Sequence, residues 1–321
     1  METISTRRHL FKFYFILLFF TAFTLCLGSL ILLESIELYK TDQLTRKKGF
    51  QALFAVILYG VAISLPYSYW KNSPEITVDE LSIRFGTQTF HLNDIIHFDL
   101  TAKVPFHYII SVPMEGSTIT FRDGTVKTFI DDMYANSWEI KSFLHRCINK
   151  VEYIFQPITR FEQSLIDSER KDVFKGNQFT TISAIALWGG LVAFIMAYLD
   201  GNFQNSIGML LVLLTILTIW FLFHSWFMNY FCLTKNILLV KNHNLLWRKN
   251  YYRLSDIEEV VIEMPDKHPY CMRIITKNFK SKLYPAATLR TRTWHRLIEE
   301  LEAKGVSVRD ECIRGSNTKS T

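Results

Sequence analysis

Two hydrophobic patterns alternate along this chain. Long apolar runs with almost no charge fill 13–33, 50–69, 179–199 and 207–228. A run of about 20 residues spans roughly 30 Å as a helix, the thickness of a bilayer's hydrocarbon core. The pattern therefore predicts four membrane helices in two hairpins, 1–71 and 179–228. The first run is too long for a secretory signal and ends in Leu33-Glu34, not at a small-residue cleavage site, so it reads as a retained helix. Small residues recur at every fourth position, Gly60, Ser64 and Ser68 and then Gly189, Ala193 and Ala197, the spacing of helix packing in lipid.

Between and after the hairpins the pattern changes to a period of two. In 72–150 the segments 76–85, 89–100, 108–113, 117–122 and 125–130 read as strands, with Asp123-Gly124 as a hairpin turn. A helix follows, with Asn136 and Glu139 spaced as a capping box and Ile140, Phe143, Leu144, Cys147 and Ile148 on one face. In 231–305 the order recurs: strands around a Lys241–Asn244 turn, further strands at 272–276 and 282–284 around Asn278, then a helix at 291–304 bearing Trp294, Leu297, Ile298 and Leu301. The connector 151–178 holds Phe155, Ile158, Phe161, Leu165 and Ile166 at helical spacing, which fits an interfacial amphipathic helix or a soluble bridging one. The tail 306–321 reads as flexible.

The recurrence extends to residues. The segment 237–262 (ILLVKNHNLLWRKNYYRLSDIEEVVI) has a weaker copy at 81–100, where His91-Leu-Asn-Asp-Ile95 stands 162 positions before Arg253-Leu-Ser-Asp-Ile257. That offset is about half of the 321 residues and predicts an internal duplication. The fold class expected is membrane α plus α+β: two repeats of a transmembrane hairpin followed by a small antiparallel β-barrel or sandwich capped by a C-terminal helix. Ile83, Ile95 and Phe98 should then point inward, as should Leu239, Ile257 and Val260.

Composition changes this picture little: 49% apolar with 21% charged residues fits a chain partly in lipid and partly in water. Charge changes it more. Residues 72–150 carry 7 Lys/Arg against 10 Asp/Glu, a net of −3, whereas 231–309 carry 15 against 8, a net of +7. Lys277, Lys280 and Lys282 cluster around one turn and Arg290, Arg292 and Arg296 follow, so these six are the candidate lipid or partner contacts. A cation held near an anionic leaflet gains roughly 1 kcal/mol. Membrane lipid is thus a better anionic partner than nucleic acid, which is not expected to bind. Lys and Arg flank the second hairpin while its 200–206 loop has none, which places both termini and both soluble domains in the cytoplasm; the basic loop of the first hairpin argues the other way.

Candidate chemistry is sparse. Nine histidines and five cysteines fall in no ligand spacing, so no metal, cofactor or catalytic residue is expected and the cysteines read as reduced. Asp131-Asp132 reads as a solvated surface pair, and Asp94 and Asp256 as turn-capping carboxylates. His224 is the one His, Asp, Glu, Lys or Arg within the four runs, near a helix end, and fits a structural or interfacial role.

The stretches Leu233-Thr-Lys-Asn-Ile-Leu-Leu-Val240 and Tyr252-Arg-Leu-Ser-Asp-Ile-Glu-Glu-Val260 and the Trp294 helix resemble the bacterial pleckstrin-homology-like family. Their counterparts are Ile76-Thr-Val-Asp-Glu-Leu-Ser-Ile83, His91-Leu-Asn-Asp-Ile95 and the Trp138 helix. The resemblance implies a bent seven-stranded barrel capped by a helix, in a multi-pass protein of the bacterial inner membrane. It implies binding or scaffolding, with protein partners or anionic lipid head groups and a possible homo-oligomer, and no enzymatic activity. An accessory subunit of a transporter or channel is the alternative, for which His224, Ser64 and Ser68 are the polar groups on offer.

Overall fold

The computed structural model describes residues 2–41, 46–108, 111–151, 153, 158–159, 162–163, 169, 171–200, 207–265 and 269–314. The amphipathic reading of Phe155, Phe161, Leu165 and Ile166 and the tail beyond 314 lie outside the described residues. The chain forms two compact units, Met1–Glu152 and Tyr153–Thr321.

In the first unit, β1 (Ile4–Ser5) precedes two long helices, α1 (Ile16–Lys40) and α2 (Arg46–Lys71). Strands β2 (Ile76–Val78), β3 (Ser82–Phe85) and β4 (Gln88–His91) follow, then a 3₁₀ turn (Leu92–Asp94), β5 (Ile95–Phe106), β6 (Val112–Phe121), β7 (Val126–Ile130) and α3 (Ser137–Asn149). Strands β1-β2-β3-β4 make one sheet and β5-β6-β7 another, all pairs antiparallel. The segment 76–85, expected as one strand, is a hairpin, because Asp79 turns it by accepting the Leu81 and Ser82 N–H groups at 2.8 and 2.7 Å. Gly86 closes the next turn at φ +57 and Gly124 the β6–β7 turn at φ +81, a region that costs glycine little.

The β-sheet domain of this unit therefore extends beyond 72–150 to the strand at Ile4–Ser5. Ile4 pairs with Val78 and Ser5 with Thr77, so the helix pair is an insertion between two neighbouring strands of one sheet. The bases of the helices join the core as well. Phe13 and Leu17 are buried with Ile76, Val78, Ile83, Ile119, Phe121 and Phe129, under Ile140, Phe143 and Leu144 of α3. Each such side chain stabilises the fold by about 1.5–3 kcal/mol through burial. Asn136 does not form the expected capping box. Its Oδ1 accepts from Arg7 N at 2.7 Å, and its amide donates to Ser5 O and Glu139 Oε2, so it fastens the edge strand to the start of α3. The strand expected at 108–113 is also displaced. β5 continues to Phe106, and Tyr108 lies in the hairpin tip, its hydroxyl 3.2 Å from Ser64 Oγ on α2.

In the second unit, β8 (Asp172–Phe174) precedes α4 (Ile182–Asp200) and α5 (Ile207–Trp226). Then come β9 (Asn229–Leu233), β10 (Ile237–Asn242), β11 (Lys249–Arg253), a 3₁₀ turn (Leu254–Asp256), β12 (Ile257–Glu263), β13 (Cys271–Thr276), β14 (Ser281–Pro285), α6 (Thr291–Ala303) and β15 (Val308–Asp310). The sheets are β11-β10-β9-β8 and β14-β13-β12-β15, with β15 parallel to β12. Their core gathers Phe231, Leu238, Val240, Ile257, Val260, Ile262, Met272 and Ile274 beneath Trp294, Leu297, Ile298 and Leu301 of α6. Leu239 departs from expectation: strand alternation points Leu238 and Val240 into this core, and Leu239 is buried on the opposite face with its partner Cys232. Ile83 is fully buried, while Ile95 and Phe98 are half-buried at the margin of the first unit's core.

The chain after 305 is ordered through Arg314, against the flexible tail expected from 306. Val306 is buried, Asp310 accepts the Cys312, Ile313 and Arg314 N–H groups, and Arg314 grips Glu302 with two bonds of 2.7 and 2.9 Å.

Three helices among the described residues are long and apolar enough to cross a membrane: Leu10–Lys40, Phe50–Lys71 and Ile182–Asp200. The chain is accordingly a membrane-associated protein. A further apolar helix, Leu210–Trp226, is shorter. The first helix outruns the predicted 13–33 at both ends. It opens with a π-helical stretch, Leu10–Phe15, and the 25 residues of α1 then measure about 38 Å, because helical bonding continues past the apolar run through Glu34, Glu37 and Lys40. The helix contacts also differ from the predicted stripes. A Cβ on Gly60 or Gly189 would meet nothing, whereas one on Gly28 would sit 3.4 Å from Leu58 Cβ and one on Gly190 would strike the Trp220 ring. Ala55 and Ala62 are buried instead. Gly190 stands one residue, about 100° of turn, from Gly189, so in the second pair the four-residue spacing selected the neighbouring face.

Candidate functional site

The six basic candidates fall into two groups. Lys277, Lys280 and Lys282 sit about the β13–β14 turn, held by Thr276, whose hydroxyl lies within donating distance of both Asn278 Oδ1 (2.6 Å) and Lys280 O (3.0 Å). Arg290, Arg292 and Arg296 are exposed at the start of α6, which follows the far end of β14. Arg296 lies over the Phe174 ring at 5.7 Å. The six follow the order read from the sequence, three lysines about one turn and three arginines on the helix beyond β14.

Lys282 leads to a site absent from the sequence reading. Its Nζ donates to Asn250 Oδ1 at 2.7 Å and lies 5.5 Å from the Tyr284 ring centroid. Burial and the neighbouring Arg248 guanidinium both hold the Lys282 ammonium below its ordinary pKa. Arg248 in turn stacks on Trp226, the last residue of α5, with Cζ 3.7 Å from the ring centroid. The β10–β11 turn is longer than the expected Lys241–Asn244. Lys241 still pairs with Lys249, so the residues between them form the loop. Within it Leu245 is buried while Leu246 and Trp247 are 72% and 78% exposed. The signal was available in the letters: Leu-Leu-Trp-Arg is an apolar run in a turn, where polar residues are the norm.

The same loop is bolted to the helix end. Asn242 donates to Ser225 O at 2.7 Å and Asn229 to Pro285 O at 2.7 Å. Asn244 reaches Ser225 Oγ at 2.9 Å, and Ala287 N donates to Phe227 O at 2.9 Å. Ser225, Asn229, Asn242 and Thr288 are all buried, so these bonds are made in low dielectric and would be costly to leave open. His243 completes the junction, its ring against Tyr230 and its Nε2 3.3 Å from Thr288 Oγ1. Burial, and secondarily Lys175, pushes its pKa down to about 4.

A second cluster joins β11 and the following turn to the connector. Asp256 does not cap a turn: its carboxylate accepts from the Tyr153 hydroxyl and from Ser255 Oγ, and its carbonyl accepts from Lys277 N at 2.9 Å. Burial and the Asp256 bond raise the Tyr153 phenol to about 12. Lys277 Nζ lies 5.7 Å from the Tyr153 ring centroid, and Arg253 bonds Glu162 at 3.0 Å. Beside them is an open groove of about 580 Å³ lined by Ile158, Glu162, Thr234, Lys235, Arg253 and Ser255 among others. Asp94 likewise caps nothing, its carboxylate lying 4.0 Å from Arg122 Nη1.

Asp131 and Asp132 are not a solvated pair. Asp131 Oδ2 bonds the buried Lys141 Nζ at 2.6 Å, and Asp132 pairs with Lys12. Lys141 is satisfied further by Leu100 O at 2.5 Å, which is how a lysine is tolerated inside. His224 packs against Trp220 with centroids 4.3 Å apart and the rings tilted at 51°, while Ser225 and Asn229 bond elsewhere. The five cysteines are free, and no metal-ligating group of three His, Cys, Asp or Glu occurs among the described residues. A comparison with protein-family models gives no match, and a comparison with curated proteins gives none either.

Proposed function

We propose that this chain is an integral membrane binding and scaffold protein. In this reading each unit is one copy of a duplicated module, a pleckstrin-homology-like domain with a helix pair inserted between its first two strands. Both copies face the cytoplasm beneath a bacterial inner membrane, and the second offers its basic surface to a protein partner or to anionic head groups. The observation that carries it is the connectivity. Each helix pair leaves and rejoins a single sheet, at Ile4–Val78 in one unit and at Phe174–Phe231 in the other, so each domain is bound rigidly to its own pair. One strand, the helix pair, three strands, a 3₁₀ turn, three strands and a helix occur in that order in both units, which supports duplication.

The test uses the full chain, because a fragment starting at 231 would lose β8 and the junction with α5. Photo-crosslinkers placed at Lys277, Lys280 or Arg292 in native membranes should yield discrete adducts to a protein or to lipid. Adducts confined to this chain's own neighbouring residues at all three positions would refute a binding role for this surface.

A further inference from the structure

We infer that the β10–β11 loop is seated in the lipid head-group layer beside the end of α5, with Arg248 and Lys282 holding the phosphate of an anionic phospholipid. This rests on the reading of α5 as a membrane helix. Trp226 ends that helix, and a tryptophan at such an end marks the interfacial layer. Arg248 is stacked on Trp226, and Asn242 and Asn244 bond the preceding Ser225, so the loop sits at the depth of Trp226. At that depth it presents Leu246 and Trp247 almost fully uncovered. An aliphatic and an indole side chain exposed side by side suit the boundary between head groups and acyl chains.

The cations supply the second half of the argument. Lys282 Nζ bonds Asn250, two residues along the chain from Arg248, and neither cation forms an ion pair among the described residues. Nη1 of Arg248 is shielded from water without an acceptor. Two adjacent, partly desolvated cations repel unless an anion lies between them. A guanidinium fork and an ammonium fit phosphate oxygens, and the nearest phosphates to a residue stacked on a membrane-helix end are those of the lipid itself.

The test places the full chain in nanodiscs of phosphatidylcholine, with and without phosphatidylglycerol. A fluorophore at Trp247→Cys or, as a reference within the helix, at Leu214→Cys, each in a chain whose five native cysteines are replaced by alanine, is challenged with phospholipids brominated at shallow or deep acyl positions. The expected result is quenching at 247 by shallow bromines and at 214 by deep ones. Phosphatidylglycerol retained through purification should fall about fivefold for Arg248→Gln and again for Lys282→Gln, from the loss of one near-surface cation each. Quenching at 214 without quenching at 247 overturns the loop's seating while leaving the membrane reading intact. Quenching at both with unchanged lipid retention in the two variants overturns the phosphate assignment. Absence of quenching at 214 removes the membrane reading on which the inference stands.

Discussion

Thr6 and Ile76 hold each other from both sides: Thr6 N donates to Ile76 O at 2.8 Å, and Ile76 N donates to Thr6 Oγ1 at 2.9 Å across 70 residues of sequence. All of the first helix pair lies between them. The short edge strand thereby closes the base of the helix pair, and Asn136 binds the neighbouring Ser5 and Arg7 to α3. Thr6→Val keeps the shape but removes the acceptor for a half-buried N–H. It should lower the stability of the first unit by about 1–2 kcal/mol, read by thermal unfolding in detergent. Thr6→Ser should be close to neutral.

The Lys141–Asp131 pair should behave as a buried ion pair. Lys141→Met alone removes the buried ammonium from the Asp131 carboxylate and should cost about 3–5 kcal/mol. Asp131→Asn should cost less, because an amide still offers an oxygen to the ammonium. The double change Lys141→Met with Asp131→Leu should recover most of the loss, which a double-mutant cycle measures.

His243 makes the second unit sensitive to acid. Its folded pKa of about 4 lies below the ordinary 6.5, through burial first and Lys175 second. Between those values the unfolded chain binds the extra proton, so stability falls as pH drops from about 6.5 toward 4, by roughly 1–3 kcal/mol, and is unaffected above that window. His243→Gln should flatten this slope. Denaturant midpoints measured across the window decide it.

Gly176 lies where β8 leads toward α4, and a Cβ there would collide with the Thr288 carbonyl. That neighbour is backbone and cannot swing aside. Gly176→Ala should therefore destabilise the second unit by about 1–3 kcal/mol, with little effect on the first.

Much of the fold was legible because two periods are hard to confuse. Apolar runs gave the helices, and alternation gave β6, β7, β12 and the Trp294 face of α6. Edge strands were not legible: Ile4–Ser5 and Asp172–Phe174 are too short to show any period, and only pairing with β2 and β9 defines them. Leu239 was misplaced because β10 is buried on both faces, so its apolar run gave no clue to register. The lysines of the candidate surface were visible as a cluster. Its aromatic part was not, since Trp226 and Arg248 are distant in sequence and meet only when β9 and β10 pair.

The proposed topology puts each β-domain on the cytoplasmic side, joined to a helix pair that crosses the membrane and returns. Single cysteines at Thr87→Cys and Lys280→Cys report the two domains, and Gln43→Cys and Gln204→Cys report the two helix-pair connections. Each is exposed to a membrane-impermeant maleimide in intact spheroplasts and again after lysis, with the modified peptide identified by mass so that the native cysteines do not interfere. The account predicts labelling of positions 43 and 204 in intact spheroplasts and of positions 87 and 280 only after lysis. Labelling of 87 or 280 before lysis would contradict it.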